Sequence, residues 1–451
     1  MCRRPARAMV LAGCLAASLA GLTACGGGTA AHAPASTGVE AALARVLPAG
    51  DLTGFYRARG FRPLWVEAGT LRPEARQLAA ILAQADSDNL PPARYRLADL
   101  QHAMAAARGG NAEALAQAEW RLSQAFAAYV RDLHQPSEAA QTVFVDPGAA
   151  PARLGPAQLL DEAARAPSLA AHLQAVRHMN PVYEGLRTAL AAAAGDAEQA
   201  RLIRANMERA RAIPADPGPR FILVDTAGAR LWLYEKGRAV DTMKVVVGKR
   251  AMATPSMAAL VRFAVVNPYW NVPPDLVRDK IAPRILAGDA DYLKRERLEL
   301  VSDWSDHPEP LDAALADWSA IAAGIDRPHV RQLPGGRNMM GRVKFMFPNQ
   351  LGIYLHDTPD RQLFALADRR RSSGCVRVED ARRLARWLFN GRDVTAAATA
   401  APEQRVDLPA PVPVYIAYFT ALPSAGTIAR QPDAYGRDPR LIALLESRRA
   451  G

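Results

Sequence analysis

One histidine and one cysteine near the C-terminal end of the chain have the types and the setting of a catalytic pair. His356 lies nineteen positions before Cys375. Residues 353–355 before the histidine and 376–378 after the cysteine alternate in hydrophobicity, which predicts a strand beside each group. A thiol that receives an imidazole from a neighbouring strand is the arrangement of a cysteine nucleophile and its base. The pair therefore predicts nucleophilic catalysis by a cysteine.

Turn signals next to both residues predict where the two groups lie. Asp357-Thr358-Pro359 is typical of a turn or a helix start, so His356 should end its strand. Gly374 lets the backbone bend tightly just before Cys375. The alternative interpretation is an inert packing cysteine, because free cysteine is among the most buried residue types.

The N-terminus has the pattern of an export signal. A basic start is followed by an apolar stretch over residues 8–24, which is typical of a secretory signal peptide and too short for a transmembrane anchor. The run Leu22-Thr23-Ala24-Cys25 resembles a bacterial lipobox, in which the cysteine is lipidated. We therefore predict a lipoprotein signal peptide over 1–24 and a flexible, glycine-rich tether over 25–38.

The cysteine count favours a reactive Cys375. The other three cysteines of the chain are Cys2, Cys14 and Cys25. If the first two leave with the signal and the third carries lipid, Cys375 has no disulfide partner, although the compartment is oxidising. An unpaired cysteine in an exported protein is either buried and inert or kept for its reactivity. Beside His356, the second interpretation is favoured.

The composition of the chain excludes few classes of function or partner. The formal charge of +11 and the isoelectric point near 9.8 would admit an acidic partner. A nucleic acid fits poorly with export, and no recognition motif is present, whereas an anionic wall polymer or lipid head groups fit better. The arginines are also scattered singly through alanine-rich helices, as on a solvated surface. No cofactor is predicted, and the spacing of His356, Asp357 and Cys375 does not fit a structural zinc site.

Two parts of the chain differ in hydrophobic period. Residues 39–212 have helical periodicity, and residues 213–451 alternate as strands do, so we predict an α+β protein with a helical domain before a β-rich one. About 272–342 interrupts the strands with segments of helical character. An insertion of this length inside a sheet domain is usually functional, for example as a lid. A last strand over 412–420 should close the sheet.

These stretches resemble the L,D-transpeptidase family. The segment from His356 to Ser373-Gly374-Cys375-Val376-Arg377 is similar to the signature of its catalytic domain, although commoner members have a histidine at the position of Ser373. The remaining similarity is to the large Gram-negative subgroup, which has a helical scaffold domain and a capping insertion. It lies in residues 55–65, 86–95, 206–209, 243–249, 254–255, 270–274, 334–338, 344–349, 355–359 and 411–420. The peptidoglycan-binding module that the subgroup usually carries has no room here.

The resemblance implies a fold, an activity and a site. It implies a peptidoglycan enzyme that forms 3–3 cross-links through a thioester of Cys375 on the diaminopimelate of tetrapeptide stems. A Cys375 thiolate would be paired with a His356 imidazolium, which would later protonate the departing D-alanine. Backbone N–H groups of the segment Ser373-Gly374-Cys375 are the expected oxyanion donors. The candidate substrate-binding side chains are Arg377, Tyr354 and Asp357, although Arg377 could instead point to solvent and Asp357 could instead cap a turn.

Several alternatives share this sequence pattern. An L,D-carboxypeptidase or amidase would need the same Cys375 and His356 and would differ only in its acceptor. A catalytically silent wall-binding lipoprotein is a further alternative, which the presence of both residues disfavours. Carbapenems are expected to acylate Cys375. The predicted location is the periplasm, with membrane contact through the lipid on Cys25; Gly26 favours the outer membrane, and other wall-synthesis enzymes are candidate partners.

Overall fold

The computed structural model describes residues 38–289, 291–305, 307–397, 401–424 and 427–450. The predicted signal peptide, Cys25 and nearly all of the tether lie outside the described residues and stay predictions. Within the described ranges, no helix is both long enough and apolar enough to cross a bilayer.

Residues 38–213 form a helical bundle around one long helix. Asn111 caps this helix, α5, by accepting hydrogen bonds from the N–H groups of Glu113 and Ala114, both at 3.0 Å. Its buried side chains recur at three- and four-residue steps, so one face of α5 is covered along its length. The helices are α1 (Gly38–Val46), α2 (Asp51–Ala58), α3 (Pro73–Ala83), α4 (Leu97–Ala106), α5 (Ala112–His134), α6 (Pro156–Arg165), α7 (Leu169–Ala175), α8 (Pro181–Ala192) and α9 (Ala197–Ala210).

A buried carboxylate on α5 holds an extended segment of the bundle. Glu119, which is fully buried, accepts hydrogen bonds from the N–H groups of Leu64 at 2.6 Å and Trp65 at 2.7 Å. It also accepts one from the hydroxyl of Tyr56 at 2.7 Å. Burial raises the pKa of Glu119 to about 7, against the lowering effect of these donors.

We expect Glu119→Gln to lower the free energy of unfolding by about 1–3 kcal/mol, because the amide would present an N–H to a buried backbone N–H. The pKa of Glu119 is raised on folding, so its contribution to stability is largest below pH 4.5 and declines as the pH rises through 7. Chemical denaturation at pH 4.5 and pH 8 measures both effects. Glu113→Gln, on the exposed start of the same helix, is the control. Equal effects of the two substitutions would contradict the expectation.

The second half of the chain is built on a sheet that closes on itself. Its strands follow the order β12-β13-β15-β6-β5-β4-β16-β7, and β12 also pairs with β7. Two short strands, β3 and β14, attach to β7 and β6. The bounds are β3 (Val143–Phe144), β4 (Arg220–Asp225), β5 (Arg230–Glu235), β6 (Arg238–Gly248), β7 (Met257–Val266), β12 (Val343–Met346), β13 (Leu355–His356), β14 (Arg370–Ser372), β15 (Val376–Val378) and β16 (Gln404–Ala417).

Alternation along the strands gives this sheet two buried faces. In β4, Ile222 and Val224 point into the core enclosed by the sheet. Phe221 and Leu223 point the other way and belong to the same hydrophobic cluster as the helical bundle. Helix α14 (Ala381–Leu388) packs its apolar face against the enclosed core. The bundle and the sheet therefore pack against each other through a continuous apolar interface.

The structure corrects two expectations about the strands of this sheet. The helical region contributes a strand, because β3 pairs in parallel with β7; two residues are too few for a periodic signal. The last strand runs from Gln404 to Ala417 and lies between β4 and β7 inside the sheet. It begins earlier than the predicted residue 412. The sequence did not indicate this start, because prolines at the centre of the strand obscure the alternation.

The insertion, expected to be helical, is a mixed layer with its own core. Short helices α10 (Pro274–Leu276), α11 (Ala282–Leu286), α12 (Tyr292–Arg295) and α13 (Trp318–Ala322) pack on a small antiparallel sheet. That sheet has the order β10-β9-β11-β8, with β8 (Trp270–Val272), β9 (Leu298–Val301), β10 (Pro310–Leu311) and β11 (His329–Gln332). Strands of two to four residues escape a search for alternation. The remaining elements are β1 (Val66–Glu67), β2 (Thr70–Leu71), β17 (Ala421–Ser424), β18 (Thr427–Arg430) and α15 (Asp438–Ala450).

Candidate active site

Two adjacent parallel strands bring the predicted catalytic residues to one face of the sheet. In the register of β13 and β15, Leu355 lies opposite Val376, and His356 lies opposite Arg377. Leu355 and Val376 point into the enclosed core, where both are fully buried. Since side chains alternate along each strand, the residues on the opposite face are Tyr354, His356, Cys375 and Arg377. His356 is the last residue of its strand, as the turn signal predicts.

The loop before the cysteine is held by side-chain hydrogen bonds. Gly374 has a φ of 122°, a conformation that favours glycine. The hydroxyl of Ser372 donates to the carbonyl oxygen of Cys375 at 2.6 Å and accepts from the N–H of Gly374 at 3.2 Å. The hydroxyl of Thr254 donates to the carbonyl oxygen of Gly374 at 2.7 Å. The backbone that presents the thiol is thus fixed on both sides of Gly374.

Cys375 is a free, half-buried thiol. Its S–H donates to the carbonyl oxygen of Gly352 at 3.4 Å. The hydroxyl of Tyr354 also contacts the thiol, and the aromatic ring of Tyr354 meets that of His356 edge to face, with centroids 5.6 Å apart. Burial raises the pKa of Cys375, while Tyr354 and the charge of Arg377 lower it.

His356 is buried and neutral. Nδ1–H of the ring donates to the carbonyl oxygen of Asp357 at 2.6 Å, which leaves the lone pair on Nε2. Burial, then the charges of Arg377 and Lys344, lower the pKa of His356 to about 3. The backbone of Met339, which lies near the end of the insertion, also contacts the ring of His356 and raises this pKa. Between about pH 4 and 8 the imidazole is therefore uncharged.

These pKa values differ from the thiolate–imidazolium pair expected from the sequence. The pKa of Cys375 is raised and that of His356 is lowered, so both groups are neutral at rest. The two described side chains are not hydrogen-bonded to each other, because the thiol is bonded to Gly352. Hydrogen bonds between catalytic groups commonly tighten only when substrate binds. At rest, the thiol proton is therefore directed to the carbonyl oxygen of Gly352 and not to His356.

The three candidate substrate-binding residues differ in their surroundings. The carboxylate of Asp357 accepts from the N–H of Arg342 at 2.8 Å and from the guanidinium of Arg361 at 2.7 Å, so it is used within the turn, and only its carbonyl oxygen meets His356. Arg377 pairs with Asp360 at 2.9 Å, and its Nε is buried without a hydrogen-bond partner. Tyr354 contacts the thiol.

Among the predicted oxyanion donors, the N–H of Gly374 already makes a hydrogen bond. Its N–H is bonded to Ser372, whereas the N–H of Cys375 meets no acceptor among the described residues. Ser373 is exposed beside it. The sequence search did not find Ser372, Thr254 or the carbonyl of Gly352. The sequence signals for Thr254 were its place in a Thr-Pro pair after a strand and the resemblance of residues 254–255 to the family.

A large cleft lies away from this site. It has a volume of about 830 Å³ and opens between α5, α7, the proline-rich segment 214–219 and β16. None of the predicted site residues lines it. In the described parts of the chain, no group of three or more histidine, cysteine or acidic side chains is placed to hold a metal ion.

Comparisons with known proteins agree with the fold. Residues 50–190 match the model of a scaffold domain, and residues 219–407 match that of the L,D-transpeptidase catalytic domain. A putative L,D-transpeptidase of Haemophilus influenzae is 33% identical over 247 residues, which cover 53% of this chain and 48% of the relative. The chain thus matches about half the length of this relative.

Two solved structures also show similarity. An L,D-transpeptidase from Mycobacterium smegmatis has 11% identity and a TM-score of 0.21, over 44% of this chain and 58% of that one. Bd1075 of Bdellovibrio bacteriovorus has 15% identity and a TM-score of 0.18, over 51% and 56%.

The two matched models define a scaffold domain followed by a catalytic domain. The chain belongs to the L,D-transpeptidase family, in the arrangement with an N-terminal scaffold. The domain boundaries predicted from the sequence stay predictions.

Proposed function

We propose that this protein is a peptidoglycan L,D-transpeptidase that forms 3–3 cross-links through a thioester on Cys375. The observation that carries the proposal is the placement of Cys375 and His356 on one face of adjacent strands, within a domain of this family. The donor would be a tetrapeptide stem, acylated at the L-centre carbonyl between diaminopimelate and terminal D-alanine.

In the first step, Sγ of Cys375 attacks that carbonyl while Nε2 of His356 accepts the thiol proton. The sulfur–carbon bond forms, the carbon–nitrogen bond to D-alanine breaks, and His356 returns the proton to the departing amine. In the second step, the amine of another stem attacks the thioester. Its proton passes through His356 to the thiolate, and the free thiol is restored.

We assign the N–H of Cys375 to the developing oxyanion, because it meets no acceptor among the described residues; the N–H of Ser373, which also meets none there, is a further candidate donor. Arg377 is assigned to a carboxylate of the stem. The Nε–H of its partly buried guanidinium has no hydrogen-bond partner, and a carboxylate can bind two N–H groups of an arginine side by side. The Asp360 contact would then orient the arginine.

Mass spectrometry of products from purified disaccharide-tetrapeptide tests the proposal. We expect a cross-linked dimer that lacks one D-alanine and that depends on Cys375. A tripeptide without dimer would instead identify an L,D-carboxypeptidase that uses the same residues. Unchanged substrate with the folded wild-type protein would contradict both.

The proposed location is the periplasm, with the protein anchored by lipid on Cys25 and sorted to the outer membrane. This part rests on the sequence of residues 1–26. Metabolic labelling with a clickable fatty acid should mark the wild-type protein and not Cys25→Ser. Equal labelling of both would contradict it.

A further inference from the structure

A buried threonine, Thr254, links the end of strand β6 to residues 372–375, which we call the nucleophile loop. Thr254 is fully buried, and its hydroxyl makes two hydrogen bonds and also contacts Tyr435. It accepts a hydrogen bond from the N–H of Gly248 at 2.8 Å and donates one to the carbonyl oxygen of Gly374 at 2.7 Å. Both roles of the hydroxyl are therefore used, and the side chain has one rotational state that satisfies them.

The second bond fixes the orientation of a reacting group. The carbonyl of Gly374 and the N–H of Cys375 belong to one planar, trans peptide unit, so they point in opposite directions. When Thr254 holds the carbonyl, the N–H of Cys375 must point away from Thr254. Gly374, which has no side chain and a φ of 122°, offers little steric resistance to rotation of this peptide. The hydrogen bond thus supplies the preference that the backbone lacks.

A second contact holds the other end of this connection. A Cβ on Gly248 would lie 2.1 Å from the carbonyl oxygen of Met252, so only glycine allows the approach of Thr254. The hydroxyl of Tyr435 donates to the carbonyl oxygen of Gly248 at 2.6 Å, and the Tyr435 ring stacks on Tyr418. The next N–H, that of Lys249, donates to the carbonyl oxygen of Ser372 at 2.9 Å.

Tyr435 lies beyond residue 407, where the match to the catalytic-domain model ends. The C-terminal segment therefore supports the nucleophile loop through Gly248.

We propose that Thr254 is a positioning residue that turns the N–H of Cys375 toward the acyl oxygen, and that Tyr435 supports it through Gly248. The inference rests on the proposed acyl transfer. Thr254 touches neither the substrate nor the reacting atoms; it acts through the Gly374–Cys375 peptide. Its loss should affect only reactions in which an oxyanion forms.

Two reagents for the same thiol separate this role from a general structural one. A carbapenem acylates the thiol through a tetrahedral oxyanion, whereas iodoacetamide alkylates it by displacing iodide and forms no oxyanion. We expect Thr254→Val to slow acylation about 10²–10³-fold, the usual effect of losing an oxyanion donor. Alkylation should stay within about twofold, and Thr254→Ser should restore acylation.

Thr395→Val is the matched control, because Thr395 is also buried and donates to Asp393 at 2.6 Å, outside the loop. Tyr435→Phe is the second variant, expected to slow acylation several-fold without slowing alkylation, should Thr254→Val fail to fold. Unchanged acylation in the variants, or an equal fall in both reactions, would overturn the inference. A wild-type protein that is alkylated but never acylated would instead refute the proposed function, and the inference with it.

Discussion

Replacement of Cys375 by alanine is expected to reduce acyl transfer to the background rate, a loss of at least ~10⁴-fold in kcat/KM, because no other group can form the thioester. Among the described residues, Cys375 is the only cysteine. Product formation from disaccharide-tetrapeptide, followed by mass spectrometry, measures the loss.

The fold should survive this change. The thiol is half-buried, and its contacts are a long hydrogen bond to the carbonyl oxygen of Gly352 and a contact with Tyr354. We therefore expect the unfolding midpoint of Cys375→Ala to stay within about 2 °C of the wild type, since substitutions away from packed or networked groups change stability little. Cys375→Ser is the closer control, because it keeps a hydroxyl at the same place. Full activity of either variant would show that the nucleophile lies elsewhere.

Replacement of His356 by glutamine is expected to lower the rate of acylation ~10²–10⁴-fold, the usual contribution of a positioned general base. The glutamine amide can still donate to the carbonyl oxygen of Asp357, so the turn keeps its hydrogen bond. His178→Gln, at a side chain that is 74% exposed, is the matched control and should leave the rate unchanged. Stopped-flow measurement of carbapenem acylation distinguishes the two.

The pH dependence tests the neutral pair. With the pKa of His356 near 3 and that of Cys375 raised, the same neutral state persists from about pH 5 to 8, so the acylation rate of the wild type should be level across that range. The low pKa of His356 also makes the stability of the fold depend on pH. In the unfolded chain His356 binds a proton near its usual pKa, so the free energy of unfolding falls as the pH drops below about 6.5 and toward 3. An acid limb of the rate near pH 6.5, or rapid alkylation of the thiol at pH 6, would instead indicate a thiolate–imidazolium pair.

The sequence predicts the parts of the site that depend on local pattern. His356 ends a strand because an apolar alternation precedes it and a turn follows. Gly374 bends the chain just before Cys375 because glycine readily adopts a positive φ. The boundary between helical and strand periodicity near residue 213 also follows from local spacing, and β4 begins at Arg220.

The remaining features depend on contacts between distant residues. Thr254 meets Gly374 across 120 positions of sequence, and no local pattern marks that hydrogen bond. The neutral state of His356 results from its burial and from Arg377 and Lys344, which adjoin it only in the folded sheet. Strand β3 lies in the helical half because its two residues pair with β7. The intrinsic strand propensity of two residues cannot predict this pairing.

The central claim is that a stem peptide becomes attached to Cys375, and direct capture of that intermediate tests it most closely. Full-length protein is mixed with disaccharide-tetrapeptide, quenched in acid within milliseconds to seconds, and weighed intact. The account predicts an added mass of the donor less one D-alanine. Trypsin cleaves after Arg371 and Arg377, so the label should be found on the peptide 372–377 and be released by hydroxylamine. Turnover with the added mass on another peptide, or with the same mass on Cys375→Ala, would contradict the account.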